Sequence, residues 1–313
     1  MHTVSRVLTF PKTITFRQLT TSSRIVENLK KHFLPATNLK TALKQVDELT
    51  VVLKKYNGNT SKYSEKFNLR YIIESGRIEG NPFLEREAAF ILASKNEPGG
   101  FIPTVSHPDS ENIVRTSFKD HLEIVNHVSA LRYTLDTPLD FTHTYIKEIH
   151  RRIWHGLNDA AGIEEAPGTY RSHTLFMPGS TLTPSEPAQI ENDINWLIDY
   201  FLRNKKELHP VVLAANVHEQ LIRIHPFRDG NGRTSRLVIN GILQHFKYPM
   251  AIIPGDPKSK RAFIEELRGA DRKQAQYADD VPKFKDDGMQ IYLANKIQET
   301  IFWYLNHLTN KQG

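Results

Sequence analysis

The sequence predicts a mainly α-helical protein with one short β element. Apolar residues recur at three- and four-residue steps through most of the chain, which is the period of an amphipathic helix. The clearest β-like run interrupts this pattern within a glycine- and proline-rich stretch, residues 156–187. The 313 residues suffice for one large domain or two, and no internal repeat is visible.

The composition is that of an ordinary soluble globular protein, with 39% hydrophobic and 24% charged residues. The chain has no cysteine, which excludes disulfides, thiolate metal sites and a cysteine nucleophile, and fits a reducing, cytoplasmic location. A formal net charge of +6 is a mild excess, and no nucleic-acid recognition motif accompanies it. No stretch is long and apolar enough to cross a membrane, so we expect no membrane association.

The N-terminal segment, residues 1–26, has an unusual composition. It carries four arginines and lysines, many serines and threonines, and no acidic residue before Glu27, which is typical of an organellar transit peptide. The same residues partly alternate as strands do, and Pro11 interrupts the amphipathic helix that a transit peptide needs. We therefore favour a structured or loosely packed N-terminal arm, with a transit segment as the alternative.

Helical periodicity then predicts the elements in order. The predicted helices cover residues 23–56, 64–78, 85–93, 111–135, 141–154, 190–202, 211–224, 233–246, 259–268 and 289–308. Residues 57–59 separate the first predicted helix from the second. Gly80-Asn81-Pro82 ends the second helix, since glycine suits a helix stop and proline cannot continue the helix. Residues 95–109 are rich in proline and glycine, which predicts a loop between an N-terminal region and the rest. We expect the last helix to pack in the core, with a homodimer contact as the lesser alternative.

The stretch 156–187 is predicted to form a hairpin or an irregular flap. Eight glycines and prolines divide it, and only the run Thr174-Leu175-Phe176-Met177 has a β-like pattern. This run is the candidate β element of the fold.

The densest chemistry lies between two apolar helices, at residues 225–236, His-Pro-Phe-Arg-Asp-Gly-Asn-Gly-Arg-Thr-Ser-Arg. His225 ends the first helix and is a candidate general base, because the ordinary pKa of histidine lies near neutral pH. Gly230-Asn231-Gly232 leads straight into the second helix. Glycines let backbone N–H groups turn inward at a helix N-terminus, and this combination predicts an anion site suited to phosphates.

Charged residues of the same motif extend this interpretation. Arg233 and Arg236 are three residues apart, so they project on the same side and can grip phosphate oxygens. Asp229 precedes the glycines and could hold Mg²⁺ that also contacts those phosphates. The spacings of the P-loop, the dinucleotide fingerprint and the zinc-protease motif do not fit. The residues alone therefore predict a helical enzyme for phosphoryl or nucleotidyl transfer.

The twelve residues resemble the Fic-domain signature, His-x-Phe-x-Asp/Glu-Gly-Asn-Gly-Arg-x-x-Arg, at all eight fixed positions. Ile149-His150 with Trp154, and residues 168–171, resemble the family's stretch before its flap. The resemblance implies a Fic-type helical bundle with a small β-hairpin flap at residues 110–270. Residues 1–109 would then form an N-terminal arm and a helical extension with an inhibitory helix, and residues 271–313 a C-terminal helical extension.

This resemblance implies protein AMPylation, the transfer of AMP from ATP to a hydroxyl side chain of a target protein. His225 would deprotonate the hydroxyl, and Asp229 would bind Mg²⁺. The nucleotide phosphates would be held by residues of the turn and the following helix, namely Gly230, Asn231, Gly232, Arg233 and Arg236. The flap, residues 173–184, would align the target by strand addition through Thr174, Leu175, Phe176 and Met177.

A second motif lies at residues 75–81, where Ser75 and Glu79 resemble the family's inhibitory pattern Ser/Thr-x-x-x-Glu-Gly/Asn. A glutamate at a helix C-terminus is unfavourable against the helix dipole, so a cationic partner would help it. By the resemblance, Glu79 pairs with Arg236, withdraws it from ATP and autoinhibits the enzyme. Some family members with this glutamate also remove AMP from modified targets, so the resemblance allows deAMPylation as a second activity of this chain.

Two alternatives stay open. A related phosphoryl or phosphocholine transferase would use a similar site, but the phosphate-transferring relatives carry lysine where this chain has Gly232. A catalytically silent nucleotide-binding regulatory module is an alternative of a different class. The intact His225 and Asp229 argue against it.

Overall fold

The computed structural model describes residues 24–56, 61–82, 118–157, 166–176, 183–274 and 287–309, together with residues 85, 88 and 89. Within these ranges the fold is mainly α, as predicted, and no strand occurs there. The helices are α1 (Arg24–His32), α2 (Leu39–Tyr56), α3 (Ser61–Ile78), α4 (Phe118–Asp136), α5 (His143–Ile153), α6 (Ile190–Asn204), α7 (Pro210–Ile224), α8 (Asn231–His245), α9 (Pro257–Gln274) and α10 (Gly288–Thr309).

One predicted helix, over residues 23–56, is divided in the structure. The chain is non-helical between His32 and Leu39. Pro35 has no backbone N–H to donate there, and the Asn38 side chain accepts a 2.9 Å hydrogen bond from the Thr41 N–H and so caps the next helix, α2. Apolar periodicity runs across this corner because both helices face the same core. Residues 85, 88 and 89 are helical, while the rest of the predicted helix 85–93 and the loop 95–109 lie outside the described residues.

The core is built around α7 and α8, which pack closely against each other. Helix α8 is buried over most of its length, and Leu237, Val238 and Leu243 are fully enclosed. Helices α4 and α5 cover one side of α8, whereas α6 and α10 cover α7. Because α8 is enclosed in this way, the turn that precedes it has a fixed position, with Asp229 as its exposed residue.

The N-terminal helices pack onto this core at two places. Helix α3 lies on α4 and reaches α8 at its C-terminal end, while α1 and α2 pack on α10. As predicted, α10 is a core helix, with Leu293, Ile297 and Ile301 fully buried. None of the described helices is long and apolar enough to span a membrane.

The predicted flap is described only at its two ends. Thr174, Leu175 and Phe176 are irregular rather than part of a strand, and Met177 lies outside the described residues together with residues 178–182. Phe176 is 87% exposed. A single 3-10 turn, Pro187–Gln189, follows the flap and leads into α6.

Candidate active site

His225 lies at the C-terminal end of α7 in the left-handed conformation, with φ 49° and ψ 58°. Few residues other than glycine adopt this conformation, so surrounding bonds must hold it. The His225 N–H donates to the Leu221 carbonyl at 3.0 Å, and its Nδ1 lies 3.1 Å from the Ile222 carbonyl oxygen. A carbonyl can only accept, so Nδ1 carries the proton and Nε2 keeps its lone pair. Burial lowers the pKa of His225, which keeps the imidazole neutral at neutral pH.

The turn after His225 is closed by the side chain of Asn231. Its Oδ1 accepts from the Phe227 N–H at 3.0 Å, and its Nδ2 donates to the Phe227 carbonyl at 2.7 Å. Phe227 itself is buried, and its ring stacks on His150 with ring centroids 3.7 Å apart. The predicted phosphate contact of Asn231 would therefore come from its backbone N–H, because its amide group is committed to the turn.

His150 of α5 braces the turn from the opposite side. Its Nδ1 accepts a hydrogen bond from the Gly168 N–H at 2.9 Å, so its Nε2 donates to the Asp229 carbonyl at 3.0 Å. Burial lowers the pKa of His150 to about 3, which fixes this neutral form. Gly230 has φ 75°, and a Cβ there would lie 3.3 Å from the His150 ring. In the sequence, only the resemblance to the Fic family pointed to His150, and that resemblance did not imply a role for its side chain.

Asp229 is the candidate Mg²⁺ ligand, and its side chain is 56% exposed. One carboxylate oxygen accepts from the Gly230 N–H at 2.5 Å. Mg²⁺ is commonly bound by one or two carboxylates together with substrate phosphates, so an exposed carboxylate beside an anion site fits the ion. The described residues contain no cluster of three or more metal-ligating side chains, so bound Mg²⁺ would depend on phosphate ligands.

Arg236 is buried and bound to α3. Its Nε donates to Ser75 Oγ at 2.9 Å, and one terminal nitrogen donates to the Ser75 carbonyl at 3.0 Å and to Glu79 Oε1 at 2.7 Å. Burial opposes ionisation of Glu79, but the charges of Arg236 and Arg233 outweigh it and leave its pKa below the ordinary value. Glu79 is therefore ionised and paired at neutral pH.

The Glu79 carboxylate also lies against the first turn of α8. A Cβ built on Gly232 would come 2.7 Å from Glu79 Oε1 and 3.1 Å from a terminal nitrogen of Arg236. The glycine therefore leaves room for a negative group at this helix N-terminus. In the described structure Glu79 occupies that position.

Arg233 faces a different carboxylate, which the sequence analysis did not identify. Its guanidinium lies 3.4 Å from Glu123 Oε1 of α4, and 4.0 Å from Asp229 Oδ1. The other oxygen of Glu123 accepts from Asn81 Nδ2 at 2.9 Å, and the same nitrogen donates to the Asp120 carbonyl at 3.0 Å. No motif marks Glu123, because its role depends on how α4 packs against α3 and α8.

The two ends of the flap contact each other and the turn. Thr174 Oγ1 donates to Glu186 across the flap at 3.2 Å, and Arg228 donates to His173 Nε2 at 3.2 Å. The flap therefore begins beside the motif, next to His225.

The chain is similar to known proteins in sequence and in fold. Residues 140–243 match the sequence model of the Fic/DOC family. Protein adenylyltransferase Fic of Nematostella vectensis is 34% identical over 190 residues, which is 59% of this chain and 39% of that protein. The corresponding protein of Aedes aegypti is 30% identical over 249 residues, 76% of this chain and 43% of the relative. The chain thus spans about two fifths of the length of these curated relatives.

Solved structures share the fold. A Fic domain-containing signaling protein from Bacteroides thetaiotaomicron has a TM-score of 0.68 at 23% identity, and covers 86% of this chain and 98% of its own. A segment of Fic-1 from C. elegans has a TM-score of 0.65 at 21% identity, over 92% of this chain and 76% of its own. At these identities the likeness concerns the helical fold.

Proposed function

The chain carries a Fic/DOC family domain at residues 140–243, and on this premise we propose that it is a protein adenylyltransferase. It transfers AMP from ATP to a hydroxyl side chain of a target protein. The observation that carries the proposal is a neutral His225 with Nε2 unprotonated, five residues before the glycine that opens the candidate anion site. The name of the curated relatives, Protein adenylyltransferase Fic, supports the same chemistry.

In the proposed reaction, the target hydroxyl oxygen attacks the α-phosphorus of ATP. Nε2 of His225 accepts the hydroxyl proton, and the bond from the α-phosphorus to the α–β bridging oxygen breaks, which releases pyrophosphate. The β- and γ-phosphates lie at the N-terminus of α8, where Gly230, Gly232, Arg233 and Arg236 hold them, with the backbone N–H of Asn231. Asp229 would hold Mg²⁺, which neutralises phosphate charge when it is bound.

We further propose that the enzyme is autoinhibited by Glu79. The carboxylate pairs with Arg236 at 2.7 Å and lies in the position that a phosphate would take at the first turn of α8. A bound ATP must therefore displace Glu79 or bind with its phosphates out of line. Ser75 supports the inhibited state, because it accepts from Arg236 through both its hydroxyl and its carbonyl.

The target protein would be docked by the flap, where the exposed Phe176 and the neighbouring Thr174, Leu175 and Met177 add a strand to it. A chain without cysteine suits a reducing compartment, and we propose the cytoplasm. We propose that residues 110–270 form the catalytic domain and that residues 1–109 and 271–313 are its helical extensions. A monomer is the favoured state, and a homodimer is the alternative.

The test compares wild type, Glu79→Gly and the double variant Glu79→Gly/His225→Ala, each incubated with ATP labelled at the α-phosphate and a cell lysate. We expect little labelled protein with wild type, strong labelling with Glu79→Gly, and none with the double variant. ATP labelled at the γ-phosphate serves as the control, because kinases of the lysate transfer that label, and its pattern should not differ between wild type, Glu79→Gly and the double variant. Equal labelling by wild type and Glu79→Gly would refute autoinhibition, and labelling that survives loss of His225 would remove it as the base.

A further inference from the structure

Arg171, which the proposed reaction does not use, lies between α5 and the flap with 2% of its surface exposed. Its guanidinium donates to four backbone carbonyls. Nε donates to His225 at 2.9 Å, one terminal nitrogen donates to His173 at 2.8 Å, and the other donates to Ser185 and, at 3.5 Å, to Ile224. The backbone N–H of Arg171 donates to the Pro226 carbonyl at 2.9 Å.

These acceptors belong to two parts of the site. The Ile224 and His225 carbonyls lie at the C-terminal end of α7, where carbonyls lack helical partners and the helix dipole favours a cation. The His173 and Ser185 carbonyls lie on the two sides of the flap. A guanidinium presents five donors in one rigid plane, so it can bind both parts at once in a fixed relation.

The phosphate end of the site is held by other residues. The turn at residues 227–231 is braced by His150, which donates to the Asp229 carbonyl, and by Asn231, which closes on Phe227. None of these bonds involves Arg171. Loss of its side chain should therefore disturb the catalytic histidine and the flap while the anion-binding turn stays in place.

We propose that Arg171 is the positioning residue that fixes His225 and both ends of the flap in one geometry, so that a hydroxyl docked on the flap meets Nε2 of His225. This inference rests on the proposed adenylyl transfer. In this proposal, the buried Arg171 aligns His225 with the acceptor hydroxyl of the target. A displacement of about 1 Å between such groups can lower the rate about 100-fold. The left-handed backbone of His225 makes such support necessary, because that conformation is unfavourable without it.

The test uses Arg171→Lys and Arg171→Met in the full chain, each also combined with Glu79→Gly. Lysine keeps the positive charge but donates from a single point, whereas methionine keeps only the apolar volume. In the Glu79→Gly background we expect the labelling rate of a lysate target to fall about 100-fold with methionine. We expect lysine to restore less than a tenth of the lost rate, while binding of Mg-ATP, measured by calorimetry, changes less than about threefold in both variants.

A spectroscopic measurement separates positioning from general loss of structure. Long-range ¹H–¹⁵N spectra of the His225 ring should show the Nδ1–H tautomer in the parent protein and a mixture of tautomers in both variants. Wild-type tautomer and wild-type labelling in Arg171→Lys would overturn the proposal, as would a parallel loss of Mg-ATP binding, which would indicate a purely structural role. If Glu79→Gly itself labels no protein, the proposed function fails. The role of Arg171 is tested separately by the His225 ring, and a His225 tautomer that neither variant changes would refute that role.

Discussion

At the scale of single residues, each of two arginines in the candidate site is paired with a glutamate. Arg236 pairs with Glu79 and Arg233 with Glu123, and both guanidinium groups are almost fully buried. A buried arginine needs a negative partner, because an unpaired charge in the interior is costly. The triphosphate of ATP would supply that negative charge, so each carboxylate both stabilises the empty site and competes with the nucleotide.

Replacing Glu123 with Gln tests this competition at Arg233. The amide keeps the size of the side chain and can still accept from Asn81, but it removes the negative charge 3.4 Å from the arginine. We expect the nucleotide-free protein to lose about 1–3 kcal/mol of unfolding free energy, and Mg-ATP to bind several-fold more tightly. Thermal unfolding with and without Mg-ATP measures both effects.

The matched control is Asn81→Ala, which removes the hydrogen bond to Glu123 and leaves the charge beside Arg233 unchanged. In the Glu79→Gly background, where release of α3 no longer affects the site, Asn81→Ala should not strengthen nucleotide binding. Weaker nucleotide binding by Glu123→Gln would instead mean that Glu123 orients Arg233 for the phosphates.

At the scale of elements, helix α3 is held at three places close to Glu79. Arg236 of α8 binds Ser75 and Glu79, and Asn81 just after the helix binds α4. The third contact is the segment after α8, where the Gly255 N–H donates to Glu74 Oε2 at 2.7 Å. If Glu79 inhibits the enzyme, all three contacts contribute to the inhibited state, and the one at Gly255 can be changed without altering a charge.

Gly255→Ala should therefore activate the enzyme partially. A Cβ at this position would meet the Cβ of Arg77 and lie 2.7 Å from the Glu74 carbonyl oxygen, so α3 must move away. We expect labelling above wild type, a loss of about 1–3 kcal/mol in stability, and no further activation when the change is added to Glu79→Gly.

Gly241→Ala provides the control for general destabilisation, because its Cβ would meet the Tyr145 hydroxyl, away from α3. This variant should lose stability without gaining activity. Activation by both alanine variants would show that loosening of the fold, rather than release of α3, raises the rate.

The same contacts show what the sequence could and could not predict. Periodicity and helix stops placed most helix ends within a few residues, because these signals are local. The candidate base, the candidate anion site and the two arginines could be predicted together, because all of them lie within residues 225–236. Glu123, Gly255 and the brace at His150 carry no local signal, because they matter only through elements that are distant in sequence and adjacent in the fold. The break between α1 and α2 was not predicted, because apolar residues that face the same core continue at helical spacing across it.

At the scale of the whole molecule, neutral histidines surround the arginine pair. His127, His150 and His218 are buried, and burial is the main reason that their pKa values are lowered, to about 3 for His150 and for His218. The nearby arginine charges act in the same direction, Arg236 on His127 and His218 and Arg233 on His127 and His150. These three buried histidines are thus polar but uncharged, so the attraction of Arg233 and Arg236 is directed at Glu79, at Glu123 or, if the proposed function is right, at a bound phosphate.

This arrangement predicts a steep loss of stability in mild acid. In the unfolded chain these histidines have an ordinary pKa near 6.5, whereas in the folded protein they stay neutral down to much lower pH. The unfolded state therefore binds more protons below about pH 6.5, and stability falls as the pH falls, by about 1.4 kcal/mol per pH unit for each histidine. Urea unfolding at pH 7 and pH 5 should show a loss of about 2 kcal/mol per histidine.

Ionised Glu79 contributes little in this window, because its lowered pKa places its titration at lower pH. Between pH 7 and pH 8.5 the histidines are mostly neutral in both states and contribute little change, so this interval is the control. Equal unfolding free energies at pH 7 and pH 5 would mean that the buried histidines take up protons in the folded state, and the uncharged surroundings inferred for the arginine pair would then be wrong.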